Sequence, residues 1–119
     1  MRVAFRTDAS IELGNGHVMR CLTLAAELRR HGAVCTFICR AHEGHLAAKI
    51  RQQGFDLIEL PVRVMPDALA SHEERMLGER WQTDALQTLA ALPERLDWLV
   101  VDHYSIGLDW ETRLRGSSQ

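Results

Sequence analysis

The stretch from Leu13 to Cys21 reads LGNGHVMRC: two glycines two residues apart, a histidine directly after the second, and an arginine three residues beyond it. Glycines permit a tight turn and a close approach of backbone to a ligand, and the free amides that open a following helix suit an anion or a developing negative charge. Gly14 and Gly16 therefore mark a candidate binding turn. A dinucleotide fingerprint asks for more, namely a third glycine at position 19 and an acidic residue closing the second strand. Position 19 holds Met19 and the second strand runs into Arg40. Both requirements fail, so no dinucleotide cofactor is expected.

His17 falls in the first turn of the helix that follows, where the positive end of the macrodipole disfavours imidazolium. A neutral imidazole is what a general base requires. Spacing alone leaves a second role open, in which His17 caps the helix or packs against a sheet. Arg20 shares nearly the same helical face and either holds a phosphate or a sugar hydroxyl or is a solvated surface arginine. Asp8 and Ser10 offer hydrogen bonds to a polyhydroxylated ligand or satisfy their own turn. A second polar group, Asp102, His103 and Tyr104, supplies a carboxylate, an imidazole and a phenol in sequence. Successive residues of a strand alternate sides, so the three need not face one way. No serine sits in a nucleophile elbow, which leaves a Ser-His-Asp triad unsupported. His31, His42, His45 and His72 have no converging third ligand at a recognised spacing and are expected at the surface, with no metal site.

The elements that must carry these groups alternate in type. Residues 2–5 (RVAF), 33–39 (AVCTFIC), 55–60 (FDLIEL) and 97–102 (DWLVVD) read as strands. Between the first two, Val18, Cys21, Leu22, Ala25 and Leu28 recur at helical spacing and leave Glu27, Arg29 and Arg30 to water. Gly32 closes that helix and Gly54 closes a second one in EGHLAAKIRQQG. A third runs from Trp81 to Leu92 with Trp81, Ala85, Leu86, Leu89 and Leu92 on one face, and LDWETRLR begins a fourth, capped by Asp109 or a neighbour. Residues 61–80 read as a long loop or a short irregular helix. The alternation predicts an α/β fold, a doubly wound parallel sheet of order 3-2-1-4 with right-handed crossovers. Its strand order reverses between the first and fourth strands, and ligands bind at such a reversal. The glycine turn and the Asp-His-Tyr run are thereby expected to meet.

The chain has 119 residues, enough for one domain with its own core. Hydrophobic residues make up 46%, charged residues 25%, and the formal net charge is −2, an ordinary globular balance without the concentrated basic surface that nucleic acid demands. The longest apolar runs fall far short of the roughly 20 residues that span a bilayer, and no signal-like segment opens the chain. A cytoplasmic protein without a membrane or nucleic-acid partner is expected. The three cysteines, Cys21, Cys35 and Cys39, are odd in number and not at metal-like spacing, so they read as small buried hydrophobes.

In combination, FRTDASIELGNGHVMRCLTLA near the start and DHYSIGLDWETRLR near the end resemble the UDP-2,4-diacetamido-2,4,6-trideoxy-β-L-altropyranose hydrolases of pseudaminic acid biosynthesis. WQTDALQTL between them fits the same family loosely, so that the resemblance runs from Met1 to about Arg115. It implies a glycosyltransferase B-like architecture, in which two Rossmann-like domains face each other across a cleft. Residues 1–115 would form the N-terminal domain, residues 116–119 a polar tail, and a C-terminal nucleotide-binding domain would be missing or separately supplied. The resemblance also implies a UDP-sugar substrate, water directed at the anomeric carbon, and release of UDP and free sugar without a metal or cofactor. It places the base on His17 and gives Asp8, Gly14, Gly16, Arg20 and Tyr104 a position at the substrate. Two other functions use the same residues: the acceptor-binding half of a nucleotide-sugar glycosyltransferase, and a non-catalytic truncated domain.

Overall fold

The computed structural model describes residues 1–9, 14, 16–42, 46–62, 77, 79–103 and 106–117, without side chains for 115–117. Four strands, β1 (Arg2–Thr7), β2 (Val34–Arg40), β3 (Asp56–Leu60) and β4 (Trp98–Asp102), form one sheet in the order β3-β2-β1-β4. Every pairing is parallel. Helices α1 (Gly16–Arg30), α2 (Ala47–Gln52), α3 (Trp81–Ala91) and α4 (Leu108–Ser117) complete a Rossmann-like α/β domain. The strand order and the alternation are those the sequence predicts.

Period-two alternation along the strands divides the chain between two faces. Val3 and Phe5 of β1 and Cys35, Phe37 and Cys39 of β2 point toward α1 and α2, where Val18, Cys21, Leu22, Ala25 and Ile50 cover them. Phe5 and Phe37 stack there with ring centroids 4.9 Å apart. The other face presents Ala4 and Ile38, which pack with Ala91, Leu92 and Leu99. Trp110 and Leu114 of α4 extend this layer with Leu77, Ala85 and Ile106. The central strands are covered on both faces, as a parallel sheet requires.

Gly32 and Gly54 end α1 and α2 at φ +90° and +85°. After α1, the Gly32 amide donates to the Arg29 carbonyl and the Ala33 amide to that of Leu28. The same pair of bonds follows α2, from Gly54 to Arg51 and from Phe55 to Ile50. Both are Schellman closures, whose left-handed residue favours glycine.

Several expectations need correction. α3 buries Asp84, Ala85 and Thr88, while Leu86 is 54% exposed. The helix turns a polar edge inward because the sheet beneath it carries two buried arginines. His42 is buried rather than at the surface, held against Asp8, whereas His31 is exposed as expected. Asp109 lies inside the first turn of α4 rather than capping it from outside. His45, His72 and most of residues 61–80 lie outside the described residues.

Candidate active site at the ends of β1 and β4

The site arises from a register. Thr7 pairs with Asp102, so the two share a sheet face with Phe5 and Val100, the face that α1 covers. The Thr7 hydroxyl donates to the Asp102 carbonyl at 3.0 Å. α1 starts at Gly16, directly over these strand ends, and brings His17 and Arg20 to the Asp102 carboxylate. Gly14, in the turn that leads in, has φ +74° and is exposed. That backbone conformation is strained for any side chain with a Cβ.

Nδ1 of His17 lies 2.7 Å from Asp102 Oδ1. Arg20 binds the same carboxylate as a fork, Nε to Oδ2 at 2.8 Å and Nη2 to Oδ1 at 2.7 Å. The nearest guanidinium nitrogen is also 3.3 Å from His17 Nδ1. An ionised carboxylate only accepts, so at 2.7 Å Nδ1 is the protonated ring nitrogen, donating to Asp102. The lone pair then belongs to Nε2, the position from which a histidine accepts a proton. The His17 side chain is 15% exposed and that of Arg20 is 68% exposed, so the group stands at the rim of the sheet rather than inside it. The fork from Arg20, reinforced by His17 against the effect of partial burial, holds the Asp102 carboxyl below its ordinary range. Asp102 is therefore an anion at neutral pH.

Cys21 Sγ sits 3.9 Å from Asp102 Oδ2. Burial, then the neighbouring carboxylate, push its thiol up to about 11. Burial also raises the thiols of Cys35 and Cys39, and all three are free and buried, as the sequence predicts for small hydrophobes. A thiol kept protonated is a poor nucleophile.

On the opposite sheet face lies a buried ionic cluster. Arg6 Nη1 donates to Asp8 Oδ1 at 2.7 Å, while its Nε and Nη2 grip Asp84 of α3. Arg40 reaches the same Asp84 and, on its other side, the Pro61 carbonyl. Trp110 of α4 donates its indole N–H to Asp84 at 2.9 Å. Asp8 also accepts from the Arg40 amide at 2.7 Å, and His42 and His103 approach its second oxygen at 3.3 and 3.0 Å. Burial alone would raise the Asp8 carboxyl, but Arg6 and the two histidines hold it well below its ordinary value. Asp84 is lowered likewise, with Arg6 and Arg40 outweighing burial.

The structure thus brings His17 and Arg20 together at the site, with Gly16 at the base of their helix. Asp8 is only 1% exposed and is engaged by protein partners on the far face. Tyr104 lies outside the described residues. Asp102, the residue that organises the site, was visible in sequence as a strand-end carboxylate; the register that aims it at α1 was not. The signals for the buried cluster were charged residues inside apolar strands, Arg6 in RVAFRT and Arg40 in VCTFICR, and Asp84 inside an apolar helical stripe.

Among the described residues no helix is long and apolar enough to cross a membrane. No family model matches the chain. It is similar to the uncharacterized protein MJ1062 of Methanocaldococcus jannaschii, with 37% identity over 59 residues. That match covers 50% of this chain but only 12% of the relative's length. Neither comparison supplies an activity.

Proposed function

We propose that the chain carries the catalytic half of a hydrolase that cleaves a UDP-linked diacetamido-trideoxy sugar to UDP and free sugar, in the cytoplasm and as a step of pseudaminic acid biosynthesis. The observation that supports this most is the 2.7 Å approach of the Asp102 carboxylate to His17 Nδ1. A carboxylate there fixes the ring and its tautomer and stabilises the imidazolium formed when the ring takes up a proton. Nε2 of His17 would remove a proton from water as the water oxygen bonds to the anomeric carbon. The bond from that carbon to the diphosphate oxygen breaks, and its electron pair leaves with UDP. The amide of Gly16, at the positive end of α1, and that of Gly14 just before it would face the developing charge. Arg20, mostly exposed beside them, offers the same site a cation. The likeness of FRTDASIELGNGHVMRCLTLA and DHYSIGLDWETRLR to the hydrolases supplies the substrate class.

In this reading a second, nucleotide-binding domain holds the uridine diphosphate. Contacts remote from the reacting carbon contribute transition-state stabilisation, so the 119-residue chain alone should turn over slowly. The test is UDP release from a panel of UDP- and CMP-linked amino sugars, by the chain alone and mixed with or joined to a supplied C-terminal domain. Release by the combined protein, abolished in His17→Ala, is the expected result. Sugar transfer to an acceptor hydroxyl would replace hydrolysis by glycosyl transfer, and a His17→Ala variant unchanged in turnover and ligand affinity would reduce the domain to a binding module.

A further inference from the structure

The ends of β1 and β4 are joined crosswise by two consecutive residues on each. The Thr7 hydroxyl donates to the Asp102 carbonyl at 3.0 Å, and the next residue, Asp8, lies through Oδ2 3.0 Å from Nε2 of the next, His103, a close polar contact rather than an aligned hydrogen bond. The Asp102 carbonyl belongs to the peptide unit that links Asp102 to His103. One peptide plane is thus gripped on its oxygen from one sheet face and through the following side chain from the other. The His103 side chain is 1% exposed and that of Asp8 is 0% exposed, so neither is at the solvent rim. Asp8 is in turn immobilised by Arg6 and by the Arg40 amide of β2.

We infer that Asp8 and His103 are positioning residues for the site: their contact fixes the end of β4 so that the Asp102 carboxylate stays on Nδ1 of His17. A planar, nearly rigid peptide unit transmits this constraint, because fixing its oxygen and the side chain beyond it leaves little freedom at the Asp102 Cα. Asp8, a candidate for substrate contact in sequence, then serves the site from the opposite face without touching a ligand. For its catalytic meaning the inference rests on the hydrolase reading, but the contact it concerns can be measured without turnover.

The experiment is ¹⁵N NMR of the His17 ring at a pH where it is neutral, in the wild-type chain and in variants shown to be folded by their amide spectra. His103→Phe keeps a flat ring and removes the polar contact of Nε2 with Asp8; His103→Gln keeps a polar atom near the Nε2 position; His42→Phe removes the other histidine contact to Asp8, from the segment that follows β2. Wild type and His103→Gln should hold the Nδ1–H form. In His103→Phe the ratio of Nδ1–H to Nε2–H should fall about fivefold, the order of one modest polar contact, and His42→Phe should leave it unchanged. Should His103→Phe fail to fold, His103→Asn, too short to reach Asp8, takes its place. An unchanged His17 tautomer in the folded donor-free variant overturns the inference, as does an equal change in His42→Phe, which would mark general loosening. If UDP release is absent but the tautomer responds, the hydrolase reading fails and the positioning pair stands.

Discussion

Arg20 and Arg6 both hold an aspartate through two guanidinium nitrogens, one at the rim of the sheet and the other beneath α3. Arg20 and Asp102 meet with side chains 68% and 19% exposed, whereas Arg6 and Asp84 are both at 0%. In water a fork of this kind contributes little net stability and can be remade by a ligand, because solvent screens it and competes for the same groups. Out of water each ion has already lost its hydration, and removing one partner strands the other. The same pairing is therefore adjustable on the α1 face and fixed on the other, where it holds α3, α4 and the sheet together.

The contrast is most easily broken at its buried end. Asp84→Ala leaves Arg6 and Arg40 without their shared carboxylate and should lower unfolding free energy by about 3–5 kcal/mol in a denaturant titration. Asp102→Ala should shift the same transition far less. Activity should show the reverse order. In the combined two-domain protein His17→Ala should reduce UDP release by about 10²–10⁴-fold, the range for a general base, with a nearly unchanged unfolding midpoint. Asp102→Asn keeps the shape but loses the charge that favours imidazolium, and should reduce kcat by on the order of tenfold to 100-fold, with less effect on KM.

Acid sharpens the comparison with a defined sign. The carboxyls of Asp8 and Asp84 titrate below their ordinary value of 3.8 in the folded protein. Their pairs thus contribute stability that is fully present above that value and is lost as pH falls through the lower folded values. Unfolding free energy followed against pH should show no loss from these pairs down to about pH 5, then a steep fall below 4, and Asp84→Ala should flatten that fall. The smallest effect is expected from Trp110→Phe, which removes one donor from Asp84 and some packing volume. It should cost about 1–2 kcal/mol in the same titration.

Much of the fold was legible because it rests on local signals. Val18, Cys21, Leu22 and Ala25 recur at helical spacing, Gly32 and Gly54 stop their helices, and near-continuous apolar runs mark covered strands. The inward face of α3 was misread for a physical reason. Leu86 satisfies the apolar pattern, but Asp84 has two buried guanidiniums to meet, and pairing them outweighs the burial of one leucine. His42 was read as a surface residue because a histidine's burial depends on a carboxylate supplied from another strand. Asp8 was legible as a functional candidate, but its burial behind Arg6 was not.

Alone, the sequence determined the α/β alternation, the order of the strands and the helix that carries His17 and Arg20 on one face, since each follows from periodicity, turn residues and the handedness of parallel connections. Tertiary structure decided which strand-end group His17 would meet. The pairing of Thr7 with Asp102 is a matter of register, and a slip of one residue would aim His103 at α1 and bury Asp102 on the other face. That register is set by packing on both sides of β1 at once, with aromatic rings on one face and the arginine-aspartate cluster on the other, and no local stretch of the chain contains it.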